Sequence, residues 1–315
     1  MSTTEVSATT PPHRATVVAD EVDTYGTALP GLQLDVVRTG VGVGPNIVRS
    51  LCSPSAAMAA GLVQFPVLGR THIGDDHVAV VCIFTAPPGS RWCEIDLAPG
   101  MLLVYGPGTE HTAISPSGLS YAFGLVEWDQ IETLAEDLGP VTSPERGRVQ
   151  AYSPRSAPQS VADVFLSMRD PVDFDSVTMD DGFEAVSRLL ADERPASTQG
   201  HGRRIDSRWI VGRCVDHVDE VGSTASIPHL CRAALVSERR LRQAFVDVVG
   251  LPPIPYFRCR ALNQARLRLI AADARETHVT EVALDAGFTH VGRFAKQYRN
   301  VFGEYPSATL TSATS

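Results

Sequence analysis

AGFTHVGRFAKQYRNVFGEYP, residues 286–306, and ALVSERRLRQAFVDVVGLPP, residues 234–253, are two copies of one pattern. Leu241, Phe245, Gly250 and Pro253 recur 53 residues later as Phe294, Tyr298, Gly303 and Pro306. Upstream, Leu230-Cys231 recurs as Val282-Ala283 at an offset of 52, and the one-residue change falls where a turn belongs. Self-similarity at a fixed spacing marks a repeated supersecondary unit. Each copy reads as a short helix, a tight turn and a longer helix: Pro228 to Ala234 then Ser237 to Val249, and Thr280 to Ala286 then His290 to Phe302. Ser237 suits an N-cap, and Gly287 suits the left-handed residue that closes a helix.

On the longer helices Leu241, Phe245 and Val248 share one face, as do Phe294, Tyr298 and Val301, which marks both faces as core. The opposite faces present Arg239, Arg242 and Gln243 in the first copy, and Gly292, Arg293, Lys296 and Asn300 in the second. Arg240 adds a further cation to the first. Arginine and lysine reach guanine edges, glutamine and asparagine reach adenine, and all of them reach phosphates. The seven polar residues are therefore candidate DNA contacts. Any surface helix exposes charge; two such helices in register, within the only basic region of an acidic chain, argue for a shared partner. Between the copies, Pro255 to Asp273 reads as one helix of roughly 28 Å at 1.5 Å per residue. Such a spacer holds two reading helices about one DNA turn, ~34 Å, apart.

Residues 286–306 resemble the second helix-turn-helix signature of AraC/XylS regulators, and YFRCRALNQARLRLI, residues 256–270, resembles that family's linker helix. The resemblance covers about 100 residues. It implies base reading by Arg239, Arg242, Gln243, Arg293 and Lys296, double-stranded operator DNA as partner, and contact with RNA polymerase. Two departures stand out: Leu235 occupies a turn position usually held by glycine, and Thr309-Leu310 replaces a Tyr-Arg usual after the last proline.

Charge divides the chain. The net is -9, yet residues 203–310 carry 16 Lys+Arg against 11 Asp+Glu, while the remainder carries 11 against 25. Phosphates attract the first part and repel the second, so the two parts have different partners. With 43% hydrophobic and 20% charged residues the composition is that of a soluble globular protein. The longest apolar run, Val78 to Phe84, is far short of the roughly 20 residues of a spanning helix. The start of the chain lacks the basic and apolar stretches of a secretory signal, and the expected location is the cytoplasm. Cys52, Cys82, Cys93, Cys214, Cys231 and Cys259 show no zinc spacing and read as buried free thiols.

Residues 31–128 read as short strands broken by Gly and Pro: Leu32 to Val37, Val63 to Val67, His77 to Phe84, Trp92 to Ile95, Met101 to Tyr105 and Leu119 to Glu127. Close spacing predicts an antiparallel sandwich or barrel. Val161 to Met168 and Gly182 to Leu190 have helical periodicity. PGTEH, residues 107–111, resembles the second half-motif of cupin barrels, which form the sensing domains of many AraC-type regulators. In cupin enzymes that histidine binds metal beside a His-x-His pair, but the earlier strand here, Trp92 to Asp96, has none. His72 and His77 read as loop and strand-edge residues, so His111 is read as structural and no metal or other cofactor is expected. Trp92, Tyr105 and Trp128 are candidates to line an effector pocket or a dimer surface, or simply to fill the core.

The fold class expected is α+β: a cupin-like β-barrel with helices, then an all-α domain of two helix-turn-helix units joined by a long helix. The expected divisions are a disordered leader at 1–30, a sensing or dimerisation domain at 31–195, a Gly-, Pro- and Ser-rich linker at 196–206, and a DNA-binding domain at 207–312. Function is expected to be that of a sequence-specific transcription regulator, an activator responding to a small-molecule effector, with a homodimer possible. Two alternatives stay open: a constitutive dimeric regulator without effector, and a metal-dependent cupin enzyme with a DNA-binding appendage.

Overall fold

Strand His77–Thr85 is apolar on both faces, and the fold shows why. Val78, Val80, Cys82 and Phe84 lie under a layer of helices, whereas Ala79, Val81 and Ile83 point into the space between two sheets. A strand covered on both sides reads as a continuous apolar run, without the alternation of a half-exposed one. The computed structural model describes residues 12–26, 32, 34–138, 141, 143–153, 159–191, 197–199, 207–222 and 225–312.

In chain order the N-terminal part comprises β1 (His13–Ala19), α1 (Val22–Gly26), β2 (Asp35–Arg38), β3 (Asn46–Cys52), β4 (Ala56–Leu62), β5 (Val67–His72), β6 (His77–Thr85), β7 (Arg91–Trp92), β8 (Ile95–Asp96), β9 (Leu102–Tyr105), β10 (Glu110–Ser115), β11 (Ser120–Glu127), α2 (Trp128–Leu138), β12 (Val149–Tyr152), α3 (Gln159–Ser167), α4 (Pro171–Phe174), α5 (Met179–Ala191) and β13 (Ser197–Gln199). The C-terminal part comprises α6 (Ser207–Val221), α7 (Ile227–Ala234), α8 (Glu238–Val249), α9 (Pro253–Ile270), α10 (Val279–Asp285), α11 (Val291–Phe302) and α12 (Pro306–Ser312).

The strands form an eight-stranded sheet, β1-β3-β4-β11-β6-β9-β12-β13, and a five-stranded sheet, β2-β5-β10-β7-β8. Their inner faces share one core that includes Phe65, Val81, Trp92, Tyr105, Tyr121 and Phe123. Among the described residues no ladder joins the two sheets, so the expected barrel takes the form of a sandwich. The outer face of the large sheet packs on α3 and α5 through Met58, Phe165, Met168, Val186 and Leu189.

Several expectations are corrected. The leader at 1–30 is not disordered throughout: residues 13–19 pair with β3 and residues 22–26 form α1, while 1–11 and 27–30 lie outside the described residues. Within the expected linker, Ser197–Gln199 pairs with β12 as β13; the rest of 196–206 lies outside the described residues. Trp92 to Ile95 is a hairpin and not a strand, with Cys93 and Glu94 at its tip at φ 47° and 66°. The strand expected at Val63 to Val67 begins only at its last residue, after Pro66. Strands β3, β4, β10 and β12 fall outside the strands expected from the sequence.

In the C-terminal part α6, α7, α8 and the first turns of α9 enclose a core of Ile210, Leu230, Leu241, Phe245, Tyr256 and Phe257. The second core joins Leu262, Ala265 and Leu269 of α9 to Phe294, Tyr298, Val301 and Leu310. One helix thus belongs to two cores in succession. Val37 and Leu68 of the small sheet complete the first core, with Ile114 packed against it. Polar contacts tighten the same seam. Asn263 exchanges hydrogen bonds with the Arg38 backbone at 3.0 and 2.9 Å. Arg260 bridges Asp35 of β2 and Asp219 of α6. Arg266 donates to both oxygens of Glu21, at 2.7–2.9 Å, and to Glu304 at 2.8 Å.

Candidate nucleic-acid interface

Each helix-turn-helix unit depends on its turn. In the second, Gly287 takes φ 81° after α10. In the first the equivalent residue is Leu235, at φ 53°, ψ 40°, whose N–H reaches back to Arg232 and Cys231. Leucine therefore adopts the left-handed turn that glycine adopts more freely, at roughly 1–2 kcal/mol of backbone cost. The turn angle survives the substitution. Ser237 caps α8 by accepting from the Arg240 N–H, as the sequence predicts. Both long helices end on glycine, Gly250 at φ 69° and Gly303 at φ 83°.

Burial follows the predicted faces. Leu241, Phe245, Phe294 and Tyr298 are fully buried. Arg239, Arg242 and Gln243 are exposed on α8, and Arg293, Lys296 and Asn300 on α11. Arg242 is held along α8 by Glu238, at 2.9 and 2.6 Å. Gln243 donates to Asp247 at 2.6 Å. Arg239, Arg293 and Lys296 have no ion-pair partner among the described residues. Arg240 is placed differently: it is half-buried and donates to Ser207 of α6 at 3.1 Å, tying α8 to its supporting helix. An arginine held this way is committed to the fold more than its neighbours are.

The two residues that depart from the expected signature after Pro306 are structural. Thr309 lies 2.8 Å from the Tyr298 hydroxyl and 2.7 Å from Glu304, and Leu310 enters the second core. A groove of about 600 Å³ runs between the two units, from the ends of α6 and α10 along α9 to the start of α11. Arg258 lines it; sequence reasoning missed this residue because it sits within a helix read only as a spacer.

In the sandwich, His111 does not meet His72 or His77. It sits edge-on to Trp92 and Tyr105, with ring centroids 5.1 and 5.2 Å away, and 3.8 Å from the Cys93 sulfur. Burial lowers its pKa to about 4 and raises that of Cys93 to about 11, so both are neutral. His72 instead faces Asp75 and Glu110, and His77 faces Asp76 and Glu127. Among the described residues no three potential metal ligands converge. Trp92, Tyr105 and His111 line a small inter-sheet cavity of about 50 Å³, with Tyr25 and Tyr121, whose hydroxyls are 3.1 Å apart. Trp128 lies elsewhere, at the start of α2, donating to Glu132. Cys52, Cys82, Cys93 and Cys214 are buried and Cys231 and Cys259 half-buried, all as free thiols. No helix among the described residues is long and apolar enough to cross a membrane.

Residues 230–312 match the family described as a helix-turn-helix domain. The chain is similar to XylDLEGF operon transcriptional activator 3 of Pseudomonas putida, 45% identical over 92 residues, which cover 29% of this chain and 28% of that protein. It is similar also to XylDLEGF operon transcriptional activator 2 of the same organism, 42% identical over 100 residues, covering 31% and 64%. Among solved structures it resembles a probable AraC family transcriptional regulator from Rhodopseudomonas palustris, with 30% identity, a TM-score of 0.31, and coverage of 34% of this chain and 98% of that one. The matched segment thus spans between about a quarter and two thirds of the length of these two activators. The AraC/XylS resemblance of the C-terminal third is borne out: this part of the chain is a helix-turn-helix domain of that type.

Proposed function

We propose that the protein is a sequence-specific, DNA-binding transcription regulator of the AraC/XylS type. The observation that carries this reading is the pair of polar faces, Arg239, Arg242 and Gln243 on α8 and Arg293, Lys296 and Asn300 on α11, set at either end of one shared helix. At 18 residues α9 is about 27 Å long, close to the separation of successive major-groove faces, ~34 Å. The names of its relatives favour activation, and hence contact with RNA polymerase. Residues 207–312 are the DNA-binding domain in this reading, and the sandwich, extended back to β1, is the sensing or dimerisation domain. The protein works in the cytoplasm and is not an enzyme.

Effector response, in this reading, begins at the inter-sheet cavity. Tyr25 on its wall belongs to α1, and Glu21 beside α1 grips Arg266, which also holds Glu304 of the second unit. A ligand that moved α1 would shift docking of the second unit, a coupling of two sites through one bistable seam. The cavity's 50 Å³ favours a second reading, a constitutive regulator whose sandwich only dimerises, since ligand pockets are usually several hundred Å³.

Selection of binders from a random duplex library by the full chain tests the function. An enriched motif with two half-sites about one turn apart is expected. With that duplex, Arg242→Ala and Arg293→Ala each weaken binding by about 1–3 kcal/mol without lowering the melting temperature. Phe245→Ala acts through stability instead, at about 3–5 kcal/mol. No enrichment and no mobility shift at low salt would refute the reading.

A further inference from the structure

The groove between the two units has a charge pattern that the reading helices do not explain. Of its acidic residues, Asp219 is paired with Arg260 and Asp285 with Arg268. Arg258 and Arg293 line the same groove, both exposed, and neither has an ion-pair partner among the described residues. The acids are thus neutralised pairwise, and two guanidinium groups remain. His290, the N-cap of α11, and Gln297, whose buried Oε1 has no hydrogen-bond partner among the described residues, stand on the same walls. Arg293 belongs both to the exposed face of α11 and to the groove, so the groove opens on the side that meets DNA.

Two reading helices in successive major grooves on one side of a duplex are separated by a minor groove, and phosphate strands border that minor groove on both sides. A duplex carries one charge per ~1.7 Å of axis, so whatever lies between the readers is pressed against anions. An unpaired arginine there gains a charge-assisted, bidentate phosphate contact; an unpaired aspartate there would be repelled. The α11 N-terminus, with Gly292 open to solvent, adds a favourable dipole to the same region.

We propose that the inter-unit groove is a seat for the phosphodiester backbone between the two half-sites, and that Arg258 of α9 is its phosphate ligand. The spacer helix is thereby a DNA-binding element itself. This rests on the DNA-binding reading above. Arg258 fixes register and contributes affinity without reading sequence.

The test uses the full chain, the duplex enriched by selection and a scrambled duplex of equal length, titrated over a range of KCl concentrations. Arg258→Ala is expected to lower affinity for both duplexes by the same factor, roughly five- to tenfold, and to reduce the slope of log K against log[KCl] by about one. Arg258→Glu lowers it further. Ethylation of phosphates between the half-sites interferes with binding of the parent protein and not with that of Arg258→Ala. Arg188→Ala, on α5 of the sandwich, changes the net charge equally and leaves the slope unchanged. Binding by Arg258→Ala with the parent's affinity and slope overturns the proposal and leaves the DNA-binding reading standing. So does a loss confined to the selected duplex, which would make Arg258 a base reader. Absence of binding by the parent chain to either duplex removes the DNA-binding reading, and the proposal with it.

Discussion

Leu235 is 84% exposed, with its backbone in the left-handed region. Its side chain contributes little burial in return for that strain. Leu235→Gly is therefore expected to raise stability by about 1 kcal/mol, the relief of strain exceeding the extra freedom that glycine gives the unfolded chain. Urea unfolding checks the sign, and a loss of stability would mean that the turn is not strained. His111 gives a pH-dependent counterpart. Its pKa falls from 6.5 unfolded to about 4 folded, so the unfolded chain binds the proton more tightly. The stability linked to His111 is complete above pH 6.5, declines as pH falls toward 4, and is constant below that. The side chain keeps some contact with the cavity, which trims the effect to on the order of 2 kcal/mol. Unfolding at pH 7.5 and 4.5 should show a smaller pH dependence in His111→Gln than in the parent; equal dependence would place the titration elsewhere.

Helix α8 ends against the sandwich. A Cβ added to Gly250 would stand 3.0 Å from the Ile114 Cδ1 of β10, on a residue already at φ 69°, while a Cβ added to Gly222, at φ 60°, would meet nothing within 4 Å among the described residues. Gly222→Ala is expected to cost about 1 kcal/mol from the backbone alone, and Gly250→Ala about 1 kcal/mol more from crowding. Equal costs in denaturant titrations would mean that β10 yields freely. The helices of this part were legible in the sequence because their signals are local: Ser237 at the cap, Gly250 and Gly303 at the ends, and apolar residues every three or four positions between. The strands were less so. Ala56–Leu62 is mostly alanine and becomes a strand through pairing with β3 and β11 on either side. Glu110–Ser115 looks polar through Glu110, His111, Thr112 and Ser115, and becomes a strand through pairing with β5 and β7 on either side. The exposed polar faces of α8 and α11 were legible too, except that Arg240 turns to Ser207, a partner 33 residues away. Glu21 and Arg266 meet across 245 residues, a contact that no periodicity announces.

At the scale of the whole chain, the first helix-turn-helix unit borrows part of its core from the small sheet. Val37 and Leu68 are almost fully buried against it. Cutting the chain at residue 203 exposes that patch, so the fragment 203–315 is expected to keep its helices and its salt-sensitive DNA binding but to melt below the helical transition of the intact protein. Residues 1–200, with their excess of acidic groups, should bind no duplex. Equal melting of fragment and parent would show that the seam contributes nothing to the unit. The single lysine of the sequence, Lys296, stands exposed on α11. An amine-directed acylating reagent therefore has one side-chain target, on the face of α11 proposed to read DNA. Mass spectrometry of the acylated protein, with and without duplex, becomes a one-residue record of occupancy, and, in the reading proposed above, acylation at that nitrogen removes the single side-chain ammonium offered to a duplex.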